Sequence, residues 1–366
     1  MSSSRASSLV LAAGESAYAR LQEQGFRPEL VQGMLAASGG PKGLMLLQLD
    51  RYLAGEFLAR SRQPVDVLGT SIGSWRMACY TQARPLDAID RFEEMYLSQS
   101  YSAKPDRHEI TRECERLLDG ILGRQGVHEI AANPRYRLHV IAARSKGSAA
   151  SESGSVLGLS FALLAAANML TPQAPFWFYE RVMFHHEQGA FPWHDSLRLA
   201  GEVAFTPDNV REALMASAAI PLVLNGVRDI PGAPAGIYRD GGLTDYHLSM
   251  PMAAHEGIVL YPHFFPRVVP GWFDKSLAWR VPNPQDFANV MLLAPSQHFI
   301  DQLPYGRIPD RKDFNRLSPS ERVHYWRRVL DQTRRMVDEL DDLISTGAWR
   351  DALKPLRFSR YGAVEH

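Results

Sequence analysis

Apolar and polar positions along the chain follow two periods. Short unbroken apolar runs read as buried strands, and stretches with an apolar residue every third or fourth position read as helices. The periodicity predicts a helix over Glu15–Gln24, stopped by Gly25. The run "GMLAAS" from Gly33 to Ser38 predicts a strand, and "LMLLQLDRYLAGEFLAR" after it predicts a helix. "PVDVLG" is a second strand, with a helix from Ser74 to Gln82 behind it. Strands that alternate with helices in this way build a parallel α/β sheet. Further on, "LDAIDRFEEMYLS" and "HEITRECERLLDGIL" are amphipathic helices, and Arg135–Arg144 is a strong strand. "GEVAFT", "AGIYR", "GIVLYPH" and "NVMLLAP" add shorter strands. "NVREALMASAAI" predicts a helix that ends at Pro221, opened by Thr206, Pro207 and Asp208. One helix is expected from Ser320 to Ile344. With no repeat and no linker, the reading is an α/β catalytic unit over 1–295, with a helical C-terminal extension over 296–366 packed on it.

One segment departs from both periods. Val156–Leu170 is almost wholly apolar, and Pro172–Tyr179 follows it with four aromatic residues. A bilayer span needs ~20 residues, so a buried helix or an interfacial segment is expected. The start, with a short apolar patch at Leu9–Ala13, reads as a leader strand or loose end rather than a secretion signal.

Composition narrows this little. The 366 residues carry 40 Lys plus Arg and 40 Asp plus Glu, so no net field draws the chain to nucleic acid. Two cysteines, Cys79 and Cys114, make no disulfide framework and fit a reducing cytoplasm.

The chemistry gathers in three glycine-rich turns. Gly69-Thr70-Ser71-Ile72-Gly73 lies between a predicted strand and a predicted helix. A serine at such a turn is a nucleophile on a strained elbow, or else an ordinary helix cap. Upstream, Ser38-Gly39-Gly40-Pro41-Lys42-Gly43 also joins a strand to a helix. Its backbone N–H groups suit an anion, which for acyl transfer is an oxyanion. Pro41 has no N–H to give, and the phosphate-loop pattern fails because Leu44 follows Gly43. The third turn, Asp240-Gly241-Gly242, is an acidic residue at a strand end or a plain surface turn.

In order and spacing the three turns resemble the patatin-like phospholipase family, and Ala216–Pro221 ("ASAAIP") resembles its A-S-x-A-x-P block. The resemblance implies a three-layer α/β fold with a mostly parallel central sheet flanked by helices. It implies a catalytic dyad in which Ser71 attacks a lipid ester and Asp240 acts as base. Gly39, Gly40, Lys42 and Gly43 would supply or shape the oxyanion hole, and Gly69, Gly73, Gly241 and Gly242 would support the turns. No metal and no cofactor is implied. The implied partner is a lipid or phospholipid substrate, with peripheral membrane contact and no nucleic acid. The chain departs from the family at Ser38 (first glycine of the loop), at Lys42 (commonly arginine) and at Tyr246, His247 and Leu248 in place of N-x-P.

Other readings stand beside this one. An acyltransferase uses the same acyl-enzyme, and a degenerate member binds lipid without turnover. A Ser–His–acid triad would take Asp240 or Asp195 as acid and His247, His255, His263 or His298 as base. His185, His186, His194 and Asp195 cluster without a zinc-type spacing. Arg322, Arg327, Arg328, Arg334 and Arg335 on the last helix read as a solvated face or as a contact for anionic lipid.

Overall fold

The computed structural model describes residues 7–189, 197–252 and 256–359. Eleven strands form one sheet. They are β1 (Leu9–Ala13), β2 (Val31–Ala36), β3 (Val65–Gly69), β4 (Tyr136–Ser145), β5 (Tyr179–His185) and β6 (Gly201–Ala204). They continue with β7 (Val227–Arg228), β8 (Ile237–Arg239), β9 (Ile258–Pro262), β10 (Val290–Pro295) and β11 (Leu353–Pro355). The order is β11-β1-β10-β9-β2-β3-β4-β5-β6, with β8 pairing β4 and β7 pairing β8. The five central strands, β10 to β4 in that order, are mutually parallel. They are buried almost throughout, which is why they read as unbroken apolar runs.

The helices are α1 (Glu15–Gln24), α2 (Leu47–Tyr52), α3 (Ile72–Tyr80), α4 (Pro85–Leu97), α5 (Arg107–Leu122) and α6 (Gly126–Ala132). After β4 come α7 (Gly154–Leu170), α8 (Pro175–Phe178) and α9 (Val210–Ser217). The architecture is the mostly parallel sheet flanked by helices that the pattern predicts. Because β2 and β3 are neighbours, the turns at their carboxyl ends lie side by side. These are the two glycine turns of the sequence, and ligands of open parallel sheets bind at such ends.

Several elements differ from expectation, and β5, β7 and α6 form where none was expected. The helix expected over 44–60 is broken into a 3₁₀ turn at Gly40–Leu46, α2, a π turn at Leu53–Phe57 and a 3₁₀ turn at Leu58–Arg60. Gly55 sits within the π turn, where α4 presses close: a Cβ there would meet both Leu86 Cδ atoms at 3.1 Å. The terminal helix is two, Pro319–Gln332 and Arg334–Thr346, joined at Thr333, whose Oγ1 donates back to Leu330 O at 2.7 Å. Arg322 is buried, not on a solvated face, and lies 4.3 Å from the Phe314 ring. The segment after Pro295 also contributes a strand, since β11 runs parallel to β1.

α7 carries no charged side chain and leaves Leu159 at 63%, Leu163 at 54% and Leu170 at 88% exposed. Its other side packs on the loop at Trp272–Asp274, with Phe161 and Phe273 centroids 5.1 Å apart and Asn168 Nδ2 donating to Asp274 Oδ1 at 2.8 Å. Among the described residues no helix is long and apolar enough to cross a membrane.

Candidate active site

The elbow is built by close backbone approach. Ser71 follows β3 and precedes α3 with φ 52° and ψ −131°, a conformation that non-glycine residues seldom adopt. A Cβ on Gly73 would lie 2.0 Å from Ala36 O, and one on Gly69 2.5 Å from the Ser74 backbone. Only glycine lets the start of α3 pass over the end of β2. Ser71 N–H donates to Ser217 Oγ at 3.0 Å, and that hydroxyl donates to Ile141 O at 2.7 Å. The serine of the "ASAAIP" block therefore ties the elbow to β4. Beneath α3, Arg76 makes a buried two-pronged pair with Asp50 at 2.8 and 2.7 Å.

Ser71 Oγ donates to Asp240 Oδ2 at 2.7 Å. Asp240 is fully buried at the end of β8, and its Oδ1 accepts the Gly242 N–H at 2.8 Å. A Cβ on Gly241 would strike Ile141 O at 2.1 Å, and one on Gly242 would strike Ser38 Oγ at 2.5 Å, so this turn fits tightly between β4 and the upstream loop. Burial raises the Asp240 carboxyl to about 6, against the lowering effect of its hydrogen bonds to Ser71 and Gly242 and of the Arg311 and Lys275 charges.

The upstream loop wraps the other side of Ser71. Gly40 has φ 58°, in the left-handed region, and a Cβ there would lie 3.6 Å from an Arg311 nitrogen. A Cβ on Gly39 would strike the Phe264 ring at 2.6 Å. Among the described residues the N–H groups of Gly39, Gly40 and Ile72 have no acceptor. Lys42 differs: its N–H donates to Gly39 O at 3.4 Å and its ammonium pairs with Asp310 at 2.7 Å. It shapes the loop without offering a backbone donor. Gly43 is buried within the 3₁₀ turn against Ile72 and Arg76.

The departures from the family pattern are anchored. Ser38 N–H donates to Tyr246 O at 3.0 Å, and Ser38 Oγ donates to Thr70 Oγ1 at 2.9 Å. Thr70 Oγ1 also donates to Asp245 O at 3.1 Å, and Arg181 grips the Asp245 carboxylate at 2.7 and 2.6 Å. His247 Nδ1 accepts the Val269 N–H at 2.9 Å and faces His263 Nε2 at 3.1 Å. Burial and the His263, Lys275 and Lys42 charges hold His247 well below the ordinary imidazole range. Among the described residues no histidine bonds to Ser71 Oγ or to Asp240, and His298 pairs with Gln302 on the surface. His194, Asp195 and His255 lie outside the described residues. Among the described residues no group of three or more His, Cys, Asp and Glu is arranged to hold a metal.

Residues 37–247 match the model of the patatin-like phospholipase family. The chain belongs to the patatin-like phospholipase family. Among solved structures the chain is matched to VipD from Legionella pneumophila at 12% identity and a TM-score of 0.37, covering 93% of this chain and 72% of that one. No curated protein matches the chain.

Two cavities meet at Ser71 of this patatin-like chain, both also bounded by Gly40, Arg311 and Asn315. One, of about 720 Å³, is bordered by Lys42, Arg267, Lys275, Arg311 and Lys312. The other, of about 410 Å³, is walled by Trp75, Tyr96, Ile110, Leu117, Ile220 and Val223. Sequence reasoning passed over Ile72, Ser217, Lys275 and Arg311. For the first two the signal was there, directly after the elbow serine and inside the "ASAAIP" block. For the cations there was none.

Proposed function

We propose that the protein hydrolyses lipid acyl esters through a Ser71–Asp240 dyad and an acyl-enzyme. The observation that carries this reading is the direct 2.7 Å bond from Ser71 Oγ to a buried carboxylate. A base near pH 6 is ionised at neutral pH and still basic enough to take a proton. Ser71 Oγ attacks the ester carbonyl carbon as its proton passes to Asp240 Oδ2. The oxyanion takes hydrogen bonds from Gly39, Gly40 and Ile72 at the start of α3, where the helix dipole also favours negative charge. Collapse breaks the ester C–O bond, and Asp240 returns its proton to the departing alcohol. Water then attacks the acyl-enzyme, gives its proton to Asp240, and the acid leaves as Ser71 regains its hydrogen. The exposed apolar face of α7 supports peripheral contact with a lipid surface.

Labelling by a fluorophosphonate, together with hydrolysis of a short-chain ester, tests the dyad. Ser71→Ala is expected to abolish labelling, and Asp240→Asn to lower kcat/KM by about a thousandfold or more. Full turnover by either variant sinks the reading.

A further inference from the structure

The larger cavity holds an excess of unpaired positive charge. Among the described residues only Lys42 of its five bordering cations has an ion pair, and it takes Asp310, the one carboxylate lining the cavity; the Asp240 carboxyl lies behind Ser71 and is shared by Lys275 and Arg311 at longer range. Arg267, Lys275, Arg311 and Lys312 make no ion pair among the described residues. Lys275 is held between two rings, its ammonium 4.2 Å from the ring centres of both Tyr246 and Trp272, and Arg311 lies against the Gly40 turn. Like charges gathered at one wall repel one another, and a bound anion relieves that repulsion. The cavity across Ser71 is apolar and offers no such partner.

We propose that the two cavities divide one ligand, with an acyl chain in the apolar cavity and a phosphate-bearing anionic head in the basic one, and that Lys275 and Arg311 select that head. This rests on the acyl-ester reading for the bond placed at Ser71. Arg311 borders both cavities and so lies where head and chain join. A guanidinium grips a phosphate with two parallel hydrogen bonds, while an ammonium between two aromatic rings acts as a point charge. A choline-type head brings its own cation into a wall of cations and is disfavoured.

Binding to Ser71→Ala protein, measured by calorimetry below the micelle concentration, tests this without turnover. The probes are dodecyl phosphate, dodecylphosphocholine, dodecyl maltoside and inorganic phosphate. Dodecyl phosphate is expected to bind at least about tenfold more tightly than each of the others. Arg311→Gln and Lys275→Gln, each on the Ser71→Ala background, are expected to weaken it by about tenfold, while Arg228→Gln, which borders neither cavity, leaves it unchanged. On the parent chain, added salt should weaken dodecyl phosphate and spare dodecyl maltoside, a reading that needs no charge variant to fold. Equal affinity for phosphate and phosphocholine heads, or indifference to both charge variants, overturns the proposal. Inorganic phosphate binding as tightly as dodecyl phosphate shows a free-phosphate site and overturns the chain half. Because no ester is cleaved, an inert parent enzyme would sink the dyad and leave this result standing.

Discussion

Asp240 carries two opposed demands. Its carboxyl rises from 3.8 to about 6 because it is buried. The folded chain therefore holds this proton at pH values where the unfolded chain has lost it. The stabilising contribution is full below about pH 4 and is lost as the pH rises through 6. Above that, the buried charge costs about 3 kcal/mol. For the proposed base the sign is reversed: kcat/KM is expected to rise with pH through about 6 and then level, and a flat profile between pH 5 and 8 would remove Asp240 from that role. Asn at this position keeps an acceptor for the Gly242 N–H and bears no charge. Asp240→Asn is thus expected to melt a few degrees above the parent at pH 8, with the gap closing near pH 4. Equal melting at both pH values contradicts the burial argument.

Among the elements, α7 stands apart. An amphipathic helix hides its apolar side, but α7 is apolar on both, so packing against Phe273 leaves Leu159, Leu163 and Leu170 uncovered. Trp177, just beyond it, is 60% exposed. Leu159→Glu with Leu163→Glu is expected to cut sedimentation with lipid vesicles several-fold and to leave hydrolysis of a soluble short-chain ester intact. Unchanged sedimentation would assign this face elsewhere. The central parallel strands and the glycine turns were legible in the sequence because both are local, whereas β5, β7 and β11 were not: apolar runs mark buried parallel strands, and glycines mark backbone crossings such as Gly73 over Ala36. The broken helix at 47–60 was not, because the π turn answers to α4, packed against it in space. Nor was the split at Thr333, which depends on one hydroxyl turning back on its own helix.

For the molecule as a whole, the segment after Pro295 is part of the structure that borders the candidate site. It brings Arg311 and Asn315 to Ser71, buries Trp326 and Asp313, and closes the sheet edge with β11. Arg311 stands 240 positions from Ser71 in a stretch with no motif of its own, so no local pattern could announce it. Ser71 and Asp240 were nameable because each sits in its own glycine turn. The cations that border the site are single residues on distant loops. A fragment ending at residue 295 is expected to be insoluble or molten, with dye-accessible apolar surface and no sharp thermal transition. A cooperative, soluble fragment would show an independent unit.

If the two cavities that meet at Ser71 divide an ester as proposed, they also set a sequence of departures. On the proposed reading, the alcohol half would lie on the basic side once the ester bond breaks, while the acyl half would stay tethered in the apolar cavity. The first product must vacate before any second reactant can come near the tethered carbonyl, and that reactant enters through the doorway just emptied. On that reading, traffic through the charged doorway, rather than Ser71 itself, would decide whether water or another alcohol wins.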